Sequence, residues 1–285
     1  MSSPREWLKQ MLVGAGRQLI VPRVSPRVVV LCYHSVSAEA GAASATPETF
    51  DRHLRWLKAH CAIVPFSGVA DAAQYERRDR PVVSITFDDG YADNYEYAFP
   101  SLRRYGAPAT FFLTAGFLER DPHVVRRFQR LCRAAEDMRP LEWVQVREMR
   151  QNGMEFGAHT YSHPNLARLT RDGAEAELRR SKVILEERLG ASVSAMAYPF
   201  GIPRRHFTRE TMDVASAVGY RCAAAITFRA VHRSHCPFAI PRFPVPGGAS
   251  VQTLEDMIFG AWDFLGLWQQ RGPVALQRRR WELHA

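Results

Sequence analysis

The sequence predicts an α/β protein with enough parallel strands to close, or nearly close, a barrel. Two observations carry that expectation. Short apolar runs alternate with helix-period segments between residues 28 and 245, the pattern of βα units whose strands are covered on both faces. There are about seven such runs, without an internal repeat of fixed period. The 285 residues, 46% hydrophobic and 24% charged, are ordinary for a globular chain with a sizeable core.

In chain order, residues 4–20 are expected to form an amphipathic helix with Trp7, Leu8, Met11, Leu12 and Ala15 on one face, ended by Pro22 and Pro26. Val28-Val29-Val30-Leu31-Cys32 is the first core strand, with Tyr33-His34-Ser35 at its end. Residues 37–47, rich in Ala, Gly and Ser, read as a loop. Thr46 then caps a helix that has Pro47 in its first turn. Val82 to Ile85 is a buried strand. Tyr95 to Tyr105 reads as a helix closed by Gly106, with Pro100 disturbing the pattern. Ala109 to Leu113 is the third strand, residues 122–152 are largely helical, and Met154 to Ala158 is a short strand. Thr170 and Gly190 bracket a helix. Val193 to Tyr198 is a strand stopped by Pro199. Thr208 to Val218 is a helix ended by Gly219. Tyr220 to Ile226 and Phe238 to Val245 supply the last strands. Residues 251–270 are amphipathic, and Arg278-Arg279-Arg280-Trp281 follows. The expected organisation is an N-terminal amphipathic segment (1–27), a main domain (28–250) and a C-terminal helix with a basic tail (251–285).

The formal charge of +9 favours solubility and attraction to anions, such as an anionic polysaccharide or membrane surface. No Lys/Arg run with interleaved aromatics suggests a nucleic-acid face. Cys32, Cys61, Cys132, Cys222 and Cys236 are far apart and include no Cys-x-x-Cys pair, which argues against a disulfide framework or a cysteine zinc site. Reduced thiols and the lack of an apolar signal segment in Met1–Val21 point to the cytoplasm. No window has the apolar length of a membrane span. The terminal helices are expected to pack on the barrel. Peripheral contact with the inner membrane face is the alternative.

Chemistry concentrates in two motifs. In Thr86-Phe87-Asp88-Asp89-Gly90, two carboxylates and a glycine leave the end of a buried strand, where ligands of α/β folds gather. Two adjacent like charges there imply a metal site, an acid/base pair, or both. In His159-Thr160-Tyr161-Ser162-His163, two imidazoles end a second strand. Gly157 and Pro164 favour a loop over a helix. Imidazoles suit zinc, a carboxylate completes a three-ligand site, and an open position admits water. Thr160 stands where a zincin carries glutamate. A base must therefore come from elsewhere, and Asp88-Asp89 offers a spare carboxylate.

With Ala197-Tyr198-Pro199-Phe200-Gly201 as a third motif in the same order, residues 28–245 resemble the NodB-like polysaccharide deacetylases, carbohydrate esterase family 4, in their exopolysaccharide-deacetylase branch. The resemblance implies a distorted (β/α)7 barrel flanked by the terminal helices, and hydrolysis of N-acetyl, less often O-acetyl, groups on a glycan. It implies one divalent metal, zinc ahead of cobalt or nickel, held by Asp89, His159 and His163. Asp88 is then the base that deprotonates the metal-activated water. His34, Tyr198, Pro199, Phe200 and Arg242 are the implied substrate-facing candidates. The chain departs from the family in two places. Ala197 stands where many members place the arginine that orients the base, and Arg242 is the candidate substitute. The late Leu-x-His motif of the general acid is missing, and His232 and His235 are the candidates in sequence order. Two alternatives accompany the deacetylase reading: hydrolysis of another non-peptide C–N bond, such as a small cyclic amide, and a non-catalytic metal-containing glycan-binding protein.

Overall fold

Seven apolar runs become seven parallel strands in the computed structural model, which describes residues 27–38, 44–70, 72–75, 79–131, 139–263 and 265–266. They are β1 (Val28–Tyr33), β2 (Val82–Phe87), β3 (Thr110–Leu113), β4 (Glu155–Ala158), β5 (Ala195–Ala197), β6 (Cys222–Ile226) and β7 (Ile240–Pro244). Each pairs with the next, and β7 returns to β1 through Leu31 opposite Phe243 and Cys32 opposite Pro244. The result is the closed (β/α)7 barrel that the sequence predicted. Its pairing is uneven, which is the distortion. β1 and β2 align from Val28–Val82 to Tyr33–Phe87, whereas β4 and β5 meet only at Ala158–Met196. A short strand, Ala62–Ile63, covers the edge of β2 that β3 leaves open.

Alternation along the strands divides the core in two. Val28, Val30, Val82, Phe112, Ala195, Ala197, Ala224 and Ile240 fill the barrel together with Phe66, Val69 and Tyr75. Val29, Leu31, Tyr33, Ile85, Phe87, Phe111 and Met196 join the helices in the outer layer. The Phe112 ring needs room across β4: a Cβ at Gly157 would lie 2.6 Å from it.

Helix boundaries follow their caps. Thr46, Thr170 and Thr208 each accept a backbone N–H of the first turn, and Gly190 and Gly219 close their helices in the left-handed conformation. The expected single helix of residues 95–105 is instead a π-turn, Asn94–Ala98, followed by an α-helix, Phe99–Tyr105. Pro100 donates no N–H, so regular i→i−4 bonding cannot run through it. The expected helical stretch 122–152 contains two helices, Pro122–Leu131 and Trp143–Gln151. The loop of residues 37–47 includes Ser44–Ala45, which pairs with Ser35–Val36.

Helix Val251–Phe259 buries Leu254, Met257 and Ile258, and its Phe259 ring meets Trp56 edge-on at 6.4 Å. Arg27 forks onto Asp263 at 2.8 and 2.7 Å. The predicted helix 4–20 and the basic tail 278–281 lie outside the described residues. Among the described residues no helix is long and apolar enough to cross a membrane.

Candidate active site

Both chemistry-bearing motifs emerge at the C-terminal ends of their strands. Asp88 N–H donates to Tyr33 O (3.1 Å), Thr114 N–H to Asp89 O (3.2 Å), and Leu141 N–H to Gly90 O (2.9 Å), which fixes the Asp-Asp-Gly turn. His159 N–H donates to Leu113 O (2.8 Å), carrying the second motif off the end of β4. His159 and His163 sit on a loop, not a helix. Six described non-glycine residues have positive φ, and four of them are here: Asp89 (75°), Thr160 (66°), His163 (56°) and Phe200 (60°). Left-handed backbone costs on the order of 1–2 kcal/mol for an L-residue, and strain of this kind gathers where geometry matters more than stability.

Ligand atoms of Asp89, His159 and His163 lie within 4.8 Å of one another, and all three residues are buried. His159 Nδ1 is 2.8 Å from Ala197 O, a pure acceptor, so Nδ1 carries the proton and Nε2 presents a lone pair. That Nε2 is 3.6 Å from Asp89 Oδ1, and His163 Nε2 is 3.4 Å from the same oxygen. Asp89 Oδ1 and His163 Nδ1 have no hydrogen-bond partner. Burial is the main force on His163, bringing its pKa down to about 3 and keeping the imidazole neutral. Buried electron-pair donors converging with an orphaned carboxylate oxygen fit a divalent cation. Phe128 and Phe200 flank His163, with ring centroids at 5.3 and 4.8 Å.

Asp88 points into the top of the barrel. Arg242, fully buried on β7, donates Nη1 to Asp88 Oδ1 and Nη2 to Oδ2, both at 2.7 Å. Burial pushes the Asp88 carboxyl up, but the Arg242 guanidinium outweighs it and holds the group ionised, well below the usual carboxylate range. Arg242 is raised correspondingly by Asp88, against the effect of burial. Asp88 Oδ2 is 3.9 Å from His159 Nε2 and accepts from the Cys32 thiol at 3.5 Å.

Cys32, His34 and Asp88 also bring possible ligand atoms within 4.8 Å of one another. This trio is not a second cation site. The Arg242 guanidinium already takes both Asp88 oxygens, and burial holds Cys32 as the neutral thiol.

The other sequence candidates separate. His34, half-buried at the end of β1, reaches the site. Phe200 does so through His163. Arg242 is buried against Asp88, so it cannot touch substrate. Tyr198 is also no substrate contact: it is buried, stacks on Phe207 at 3.8 Å and donates to Phe238 O. Pro199 is buried beside it. His232 and His235 are far from the site, because the β6–β7 connection runs back to the other end of the barrel, where Val231 N–H bonds Val28 O. The sequence reading passed over Cys32 and Phe128. Only strand alternation from Val28 and Val30 places Cys32 on the inward face with Asp88, and no local motif marks Phe128.

A model of the polysaccharide deacetylase family matches residues 75–223, more than half of the chain. The chain belongs to the polysaccharide deacetylase family. It is a hydrolase of carbon–nitrogen bonds other than peptide bonds. Poly-β-1,6-N-acetyl-D-glucosamine N-deacetylase of Staphylococcus aureus is 26% identical over 232 residues, covering 76% of this chain and 73% of that protein. The fold is shared with Streptococcus pyogenes deacetylase PplD, solved in complex with acetate (TM-score 0.69, 24% identity, 82% of this chain and 99% of that one). It is shared as well with IcaB of Ammonifex degensii (TM-score 0.65, 23% identity, 82% and 98%).

Proposed function

We propose that this deacetylase removes N-acetyl groups from an exopolysaccharide, with Asp88 as general base and a divalent metal, zinc in the first instance, held by Asp89, His159 and His163. The observation that carries the reading is the division of labour between adjacent carboxylates. Asp89 faces two imidazoles with an orphaned oxygen, while Asp88 is turned onto Arg242 and kept ionised 3.9 Å from His159. The name of the Staphylococcus relative supports an N-acetylated glucosamine polymer as the substrate class.

A cation bound there supplies Lewis-acid polarisation of the acetamide carbonyl and acidifies water. Asp88 accepts the proton of the attacking water. Arg242 fixes the orientation of that carboxylate, so proton transfer needs no side-chain search. His34, with a ring nitrogen within 4.8 Å of an Asp88 oxygen, is placed to give a proton to the departing amine.

The test is acetate release from N-acetylglucosamine oligomers by the chain loaded with zinc or cobalt. Asp88→Asn should lower kcat by about 10²–10⁴-fold while metal still binds. Undiminished turnover would remove Asp88 from the mechanism. Hydrolysis of a small cyclic amide in preference to the oligomer would redirect the substrate class.

A further inference from the structure

The metal-ligand loop is held from behind by a carboxylate that none of the three motifs contains. Glu177 lies in helix Arg171–Leu189. Its Oε2 accepts the backbone N–H groups of Tyr161 (3.1 Å) and Ser162 (2.8 Å), and its Oε1 accepts the Ser162 hydroxyl (2.7 Å). Those are the residues between His159 and His163. One turn further along the same helix, Arg180 lays its guanidinium over the Tyr161 ring at 3.5 Å. The Tyr161 hydroxyl donates to Asp121 at 2.7 Å. On the opposite side, Ala115 and Gly116 N–H groups bind Thr160 O (3.1 Å) and Tyr161 O (2.9 Å). A Cβ at Gly116 would be 2.6 Å from Tyr161 O, so only glycine permits that approach.

This loop needs an outside anchor. Thr160 and His163 are both left-handed, at 66° and 56°, and its one internal brace is His163 N–H on Thr160 Oγ1 at 3.0 Å. Left alone, the backbone would relax toward ordinary φ and swing His163 away from Asp89. Hydrogen bonds to an ionised carboxylate are roughly twice as strong as neutral ones, and three of them fall on Glu177.

We propose that Glu177 is a positioning residue for the metal site, clamping the His159–His163 loop so that both imidazoles face Asp89. The proposal rests on the reading of Asp89, His159 and His163 as ligands. Glu177→Ala removes both acceptor oxygens and leaves the Tyr161 and Ser162 N–H groups without their acceptor, whereas a glutamine could keep all three contacts by turning its NH₂ toward the Ser162 hydroxyl. Supports of this kind typically change metal affinity by about 10–100-fold.

The experiment is titration of the metal-free full chain with Co²⁺ against a competing chelator, recording the visible absorption of the bound ion. Glu177→Ala should bind Co²⁺ about 10–100-fold more weakly with an altered absorption band. Ser162→Ala, which removes one of the three bonds, should show a smaller loss in the same direction, and it decides the question if Glu177→Ala fails to fold. A merely structural role would lower the melting point of the metal-free protein but leave affinity and spectrum alone. Affinity within about twofold of wild type with an unchanged band overturns the proposal. A wild-type chain that takes up no Co²⁺ removes the ligand reading itself.

Discussion

The two ends of the barrel treat buried polar groups in opposite ways. At the N-terminal ends of β3 and β4, the Thr110 hydroxyl donates to Glu155 (2.6 Å) and receives the Phe66 N–H (2.9 Å), and Glu155 also receives the Ser67 N–H (3.1 Å). That network is complete and holds the floor of the barrel in place. Around the C-terminal ends, Asp89 Oδ1, His163 Nδ1 and Arg242 Nε are buried without hydrogen-bond partners, and four residues there hold left-handed backbone. Unmade bonds and strain cost stability. Buried atoms without partners also occur at Arg27 Nε, before β1, and at Ser84 Oγ, within β2, so what marks the site is the meeting of orphaned ligand-type atoms with left-handed backbone at one end.

The sharpest way to break this contrast is to remove the one strong pair at the active end. Arg242→Met deletes the guanidinium and leaves Asp88 buried without its cation, which should cost about 3–5 kcal/mol. Urea denaturation measures the loss. Adding Asp88→Asn to Arg242→Met should recover much of it, because no unpaired charge then remains. If Arg242→Met is as stable as wild type, the pair is not what keeps Asp88 in place.

Sequence patterns reached this end of the molecule only where they were local. Asp88-Asp89-Gly90 and His159-to-His163 were legible because a turn signal follows a buried strand within a few residues, and the seven strands because both their faces are apolar. Arg242 could be named but not placed, since it meets Asp88 across 154 residues of chain. His232 and His235 follow β6 directly, but their connection leads to the floor. Tyr198 adjoins the site in sequence, yet its ring packs outward on Phe207. Glu177 carries no signal at all, being one more charge on a helix rich in them.

A smaller effect should come from a buried network next to the site that resembles the floor. The Tyr33 hydroxyl pairs with His53 Nδ1 at 3.0 Å, and His53 Nε2 donates to Ala249 O at 2.8 Å, so both nitrogens are used by the neutral ring. Burial lowers the His53 pKa from 6.5 to about 4. Between those values the unfolded chain takes up a proton that the folded chain refuses, so stability falls as pH falls from about 6.5 to about 4, by roughly 3 kcal/mol in all. Asp93, pushed up to about 6 chiefly by burial, works in the opposite direction over much of the same window. The measurement is therefore the difference in urea stability between wild type and His53→Gln across that range. A pH-independent difference would mean that His53 does not resist protonation.

The smallest expected effect tests strain itself, because left-handed residues also occur away from Asp89, His159 and His163. Arg120 (φ 57°) is one, and its ion pair to Glu142 at 3.0 Å is largely solvent-exposed. Such a pair contributes little. Arg120→Gly removes the Cβ clash, partly offset by the greater freedom of glycine in the unfolded chain, and should stabilise by about 0.5–1 kcal/mol with turnover unchanged. Phe200→Gly relieves the same kind of backbone, but it removes the ring packed at 4.8 Å on His163 and 5.2 Å on His206. There metal affinity and turnover should both fall, because the freed imidazole loses one wall of its slot. If Phe200→Gly instead matched Arg120→Gly in both assays, left-handed backbone beside His163 would be an accident of the turn, and the contrast between the two ends would rest on the orphaned polar atoms alone.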